Sequence, residues 1–280
     1  MRKYIELAII VLCVSLYMYL THEPEDFSPP PKNILRIGVE CDYVPNSWEE
    51  SAATKSNVPI ANLEGSYAEG YDIQIAKLVA AELGFVLEVR KIAWNDLLPA
   101  LINGEIDAIF SSMLDTEERR KIADFSDPYE VNKAEYGIMV DSVSHYITAG
   151  KLEDFRGAKI IGERGTKLDE VIDQIPGVIH LPPKDKIQAM IDAVLNEEAD
   201  GAVIDTDTGH FYEVMNKNLT LIKFSEEAGF RLGFHGVCAG VRKDDTELLH
   251  KINIALNNIP RSERKKIMDT ATSRMMTNLQ

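Results

Sequence analysis

Cysteine is scarce in this chain: three residues in 280, at positions 13, 41 and 238. That is too few for a disulfide-stapled scaffold, and their spacing fits no metal site, so no metal and no cofactor is expected. Cys41 and Cys238 leave two readings open, a disulfide in an oxidising compartment or two buried thiols. Basic charge is also short. Thirty Lys and Arg stand against 45 Asp and Glu, a formal net charge of −15. A partner that needs a basic face, nucleic acid or an anionic lipid surface, is therefore excluded. A cationic small ligand is weakly favoured. No repeat with a period of 20–50 residues is present, which excludes a solenoid.

The one uncharged apolar run opens the chain. Arg2 and Lys3 precede residues 7–20, which carry no charge. The run has the size of a signal-peptide core and is short for a membrane span. Bulky Met18, Tyr19 and Leu20 make a poor cleavage site. Residues 1–20 thus read either as an atypical signal sequence or as an uncleaved membrane anchor, and both export the rest of the chain. Cys13 follows Leu12, too large for the usual lipid-attachment motif. Residues 21–33 are acidic and proline-rich, as in a linker.

From residue 34 onward strands alternate with helices. Strands are expected at 34–39, 85–92, 106–110, 136–140, 159–162, 178–181, 201–205, 219–224 and 236–241. Helices are expected at 72–83, 95–103, 116–122, 168–175, 185–197, 208–216, 246–257 and 262–270. A polar loop of about 25 residues separates the first strand from the first helix, a length that is often functional. This alternation implies an α/β fold of mostly parallel sheets flanked by helices. Two successive units suggest two lobes with a cleft between them. Residues 34–141 and 225–280 are assigned to the first lobe, and 142–224 to the second. Two crossings near 140–144 and 225–232 form the hinge. Ligands of such sheets bind beyond the carboxyl ends of the strands.

Two segments narrow the choice further. One runs Glu69-Gly-Tyr-Asp-Ile-Gln-Ile-Ala-Lys77 and on through Trp94-Asn-Asp-Leu-Leu-Pro-Ala-Leu101 to Gly104-Glu-Ile-Asp-Ala-Ile109. The other is Thr116-Glu-Glu-Arg-Arg-Lys-Ile-Ala-Asp-Phe-Ser-Asp-Pro-Tyr129. Together they resemble the polar amino-acid-binding proteins of bacterial ABC importers, solute-binding protein family 3. The resemblance covers nearly everything after residue 33. It implies a type II periplasmic-binding-protein-like fold, a zwitterionic amino acid as ligand and an ABC permease as partner. It also implies a monomer outside the cytoplasm, tethered to the membrane if residues 1–20 are retained.

The resemblance also proposes roles. Arg119 would grip the ligand's α-carboxylate with its guanidinium, where the residue alone reads as an exposed helix arginine. Ser111 and Ser112 would hydrogen-bond the ligand, or simply suit a tight turn. Gly165 and Thr166 open a helix whose free amides attract a carboxylate. Asp205 would take the α-ammonium group, the alternative being a helix cap, for which Asp207 is the better candidate. Tyr43 would stack on the ligand side chain. Glu40, with Glu163 near the other lip, would favour a cationic side chain. Leu114 and Lys167 depart from the small or hydroxyl residues that the family often has there. Arg120 reads as solvated.

Two other functions compete. A sensor module shares this fold, but a chain ending at Gln280 would signal only through a partner. A cyclohexadienyl dehydratase-like enzyme needs a general acid, for which Asp205, Glu163 or His210 are the candidates. Binding without catalysis is the expectation.

Overall fold

Two five-stranded sheets share one strand order. In the first it runs Val86–Lys91, Ile34–Val39, Ala108–Ile109, Gly240–Arg242, Ala123–Phe125. In the second it runs Ile179–His180, Lys159–Ile161, Gly201–Asp205, Tyr136–Asp141, Leu219–Ile222. The first three strands of each are parallel. The fourth is antiparallel to both its neighbours and is the strand that enters from the other lobe. The structure is a computed structural model that describes residues 33–129, 135–232 and 236–277, with side chains as far as Met275. The leader or anchor expected at 1–20 and nearly all of the linker at 21–33 lie outside the described residues. No helix among those described is long and apolar enough to cross a membrane.

The period-two pattern of the strands divides each lobe's core into two layers. In the second sheet Ile138, Val140 and Val203 face Phe155 and Leu168. Their neighbours Met139, Ala202 and Ile204 face Ile187, Met190 and Val194. In the first lobe helix Tyr71–Glu82 buries Ile75, Ala76 and Val79 against the sheet. The chain leaves that helix at Gly84, whose φ of +69° suits the left-handed stop.

The sheets correct the lobe boundaries. Strand Tyr136–Asp141, expected in the first lobe, lies between two strands of the second sheet. Residues 225–232, also expected in the first lobe, belong with the second. Phe224, Phe230 and Leu232 pack on the second core, and the Ala228 carbonyl accepts the Leu152 amide. Tyr129 and Gly236 thus belong with the first lobe, and Tyr136 and Leu232 with the second. Apolar alternation marks a strand but not the sheet it joins, so the crossings are displaced from 140–144 and 225–232.

Other expectations shift locally. The polar loop before the first helix folds into a small antiparallel sheet of Asp42–Tyr43, Ser47–Glu50, Tyr67–Glu69 and Val58–Pro59. Strands of two to four residues leave almost no periodic signal. The helix expected at 116–122 is a single turn, Glu117–Arg120, followed by an unforeseen strand, Ala123–Phe125. Gly70 joins the small sheet to its helix at φ +125°, and a Cβ there would sit 2.3 Å from the Asn46 carbonyl oxygen. Cys41 and Cys238 are buried thiols that are not joined in a disulfide.

Candidate functional site

The parallel strands of both lobes end at a common cleft, and a pocket of about 420 Å³ of empty space lies there. Glu40, Trp94, Ser111, Ser112, Leu114 and Arg119 line it from the first lobe. Tyr136, Glu163, Thr166, Lys167 and Leu168 line it from the second, with Tyr43 between. Seven of the nine residues given ligand roles from sequence are thus brought together. Gly165 and Asp205 stand at the margin.

Arg119 is held by contacts within the protein. The Thr116 hydroxyl caps its turn by accepting the Arg119 amide at 3.3 Å. The guanidinium donates to the Leu114 carbonyl at 2.8 Å and to the Gly165 carbonyl at 3.2 Å. It also lies 5.1 Å over the Trp94 ring, within cation–π range. Burial lowers its pKa while Glu170 and Tyr136 oppose the shift, and a guanidinium stays charged throughout. Arg120 is exposed, as expected, and pairs with Asp115 at the surface.

Gly165 meets Arg119 through its carbonyl, not its amide. Trp94 Nε1 donates to the same oxygen at 3.1 Å. The approach needs glycine: φ is +71°, and a Cβ would lie 2.7 Å from Asn95 Oδ1. Thr166 is occupied locally. Its amide and hydroxyl both donate to the Glu163 carbonyl, and the hydroxyl accepts the Leu168 amide at 3.1 Å. The serines are occupied as well. Ser111 Oγ accepts the Glu40 amide at 3.1 Å, and Ser112 Oγ donates to Asp72 Oδ2 at 2.9 Å. The two hydroxyls fix the pocket floor.

Asp205 is the cap of helix Thr206–Met215, a role the sequence pattern gives to Asp207. Its Oδ1 accepts the amides of Asp207 at 3.1 Å and Thr208 at 2.9 Å. Its Oδ2 is buried without a well-formed hydrogen bond. Burial raises the carboxyl's pKa, and the Thr208 amide and Tyr43 hydroxyl pull it back. Tyr43 belongs to the first lobe's chain, yet it packs on the second lobe's core.

Glu40 and Glu163 are the acids of the pocket, 8 % and 5 % exposed. Among the described residues neither forms an ion pair. Burial and nearby Asp42 push Glu40 up to about 7. Burial and then Glu40 itself push Glu163 up to about 9. A buried carboxylate without a cation is costly, and a proton or a positive ligand relieves it. His210 is exposed, 3.5 Å from Glu213 and outside this pocket. Trp94 and Tyr136 were not foreseen as lining residues. Tyr136 pairs with Asp205 across the ladder, so correct placement of its strand would have found it.

Further contacts span the cleft. Thr208 Oγ1 donates to the Val44 carbonyl at 2.6 Å, and Lys186 lies 3.5 Å from Asp42. The lobes are therefore in contact around the pocket.

The model of the bacterial extracellular solute-binding proteins, family 3, matches residues 35–272. This chain belongs to that family. It is 24% identical over 273 residues to the arginine-binding extracellular protein ArtP of Bacillus subtilis, covering 92% of this chain and 93% of the relative. It is 30% identical over 190 residues to ABC transporter arginine-binding protein 1 of Escherichia coli, covering 67% of this chain and 75% of the relative. Among solved structures it resembles an ancestral arginine-binding protein bound to arginine, with 26% identity and a TM-score of 0.70. That match covers 85% of this chain and 98% of the other. The protein is thus an extracytoplasmic amino-acid-binding protein of an ABC import system. Its fold is the two-lobed type II binding-protein architecture, and its partners are an amino acid and an ABC permease.

Proposed function

We propose that the pocket captures an amino acid with a cationic side chain, and that closure of the two lobes completes the capture. The observation that carries this is the pair Glu40 and Glu163, buried acids contributed by opposite lobes with no protein cation between them among the described residues. A cationic side chain between them would supply the missing charge and reward closure, because each lobe brings one acid. The similarity to arginine-binding relatives supports the same class.

Arg119 takes the α-carboxylate, exchanging one neutral carbonyl partner for a charged one. Asp205 offers its open Oδ2 to the α-ammonium group, with Tyr43 beside it. The floor at Ser111 and Ser112 and the turn at Gly165 and Thr166 shape the pocket around the backbone of the ligand. The protein works as a monomer that hands its ligand to the permease. Residues 1–20 export it, and if retained they tether it to the membrane.

The test is calorimetric titration of the purified protein with L-arginine, L-lysine, L-histidine, L-glutamine and L-glutamate. At least one of the three cationic amino acids is expected to bind more tightly than glutamine and glutamate. Tighter binding of glutamine or glutamate than of all three cationic ligands would overturn the proposal.

A further inference from the structure

Asp72 has no exposed surface and does not line the pocket, yet it holds two places that matter to binding. It is the second residue of helix Tyr71–Glu82, where the helix dipole favours a negative charge. Its Oδ2 accepts the Ser112 hydroxyl at 2.9 Å, and its Oδ1 accepts the Tyr129 hydroxyl at 2.8 Å. The Ser112 amide acts on the same carboxylate.

Ser112 is pocket floor, and its backbone sits at φ +49°. A non-glycine residue adopts that conformation only when its surroundings impose it. Glycine would reach the angle unaided but would lack the hydroxyl that Asp72 holds. Tyr129 is the last described residue before the chain enters the second lobe. Tyr71 Oη donates to its carbonyl at 2.5 Å, and its amide donates to the carbonyl of Val237 at 2.9 Å. Val237 lies just after the chain returns. The strip closes on the floor again, since the Cys238 amide donates to the Met113 carbonyl at 3.0 Å.

We infer that Asp72 is a positioning residue for ligand capture: it locks the pocket floor at Ser112 to the paired chain crossings at Tyr129 and Val237. The floor and the segments at Tyr129 and Val237 then move as one body when the lobes close. The inference does not depend on which side chain the pocket takes. Coupling of this kind, through residues that do not touch the ligand, changes affinity by roughly two- to thirtyfold.

The experiment compares wild type, Asp72→Ala, Asp72→Asn, and each of these combined with Ser112→Gly. The probe is L-arginine, and amide exchange is followed on the ligand-free proteins. Asp72→Ala is expected to weaken L-arginine binding on the order of tenfold. Ser112→Gly in the same chain is expected to restore most of that loss, because glycine needs no carboxylate to hold its backbone. If Asp72→Ala does not fold, Asp72→Asn carries the comparison. In exchange, the amides of Tyr129 and Cys238 are expected to lose protection together while strands of the second lobe keep theirs. Loss confined to helix Tyr71–Glu82, or no rescue by glycine, would overturn the inference. If the wild type binds neither L-arginine, L-lysine nor L-histidine, the cationic-ligand proposal fails, and the exchange pattern still decides this one.

Discussion

Arg119 of the first lobe reaches across the cleft to the carbonyl oxygen of Gly165 at 3.2 Å. A neutral acceptor thus occupies a donor that a carboxylate would bind more strongly. Arg119→Ala should weaken amino-acid binding by on the order of 100-fold, the worth of a paired charge in a desolvated site. Arg119→Lys should keep the charge and still lose on the order of tenfold, because an ammonium cannot replace the planar fork. Calorimetric titration checks both, and undiminished binding in the alanine variant would remove Arg119 from the site.

Asp205 caps its helix with one oxygen and is proposed to hold the ammonium group with the other, and substitutions separate the two. Asp205→Asn keeps an acceptor for the amides of Asp207 and Thr208 and removes the charge. It should bind ligand at least about tenfold more weakly with nearly wild-type stability. Asp205→Ala should lose binding and also about 1 kcal/mol of stability through the missing cap. Denaturant melts beside binding curves distinguish the two. Equal stability loss in both variants would contradict the division of labour.

The acids of the pocket give stability a pH dependence. Glu163 titrates near 9 and Glu40 near 7 in the folded chain, both above the ordinary carboxyl value. Above pH 4.5 the folded chain therefore holds protons that the unfolded chain has released. Stability falls as pH rises through that window. Asp107 and Glu49, whose pKa values are lowered, act only below it. The raised His180, between Asp169 and Asp173, contributes in the same direction as the acids. Comparison with Glu163→Gln cancels the His180 share. The thermal midpoint of the ligand-free wild type should fall between about pH 7 and about pH 9 more steeply than that of Glu163→Gln. Parallel curves would show that Glu163 is ionised already.

Much of the fold and the site is legible in the sequence, and the failures share a physical cause. Helix 246–257 has the bounds its pattern predicts, because its apolar face repeats over three turns. Arg119, Glu40, Tyr43, Ser111, Ser112 and Thr166 all line the pocket for which they are singled out. Pairing is not legible. Strand Tyr136–Asp141 is recognisable, but its neighbours are set by contacts distant in sequence. Its misplacement moves the hinge and hides Tyr136 from the site. The cap geometry of Asp205 and the ion pair of Arg120 with Asp115 escape for the same reason. Each depends on side-chain direction, which residue spacing does not encode. Leu114 and Lys167, the departures from the family pattern, do line the pocket, and Lys167 pairs with Glu170 at 2.7 Å.

The central claim is that Glu40 and Glu163 select a positive side chain. It is tested most directly by titrating L-arginine and its neutral near-analogue L-glutamine into wild type and the Glu40→Gln/Glu163→Gln double variant. Wild type should prefer arginine by at least on the order of 100-fold, and the double variant should lose most of that preference. A double variant that keeps the full preference, or a wild type that binds glutamine as tightly as arginine, would contradict the account.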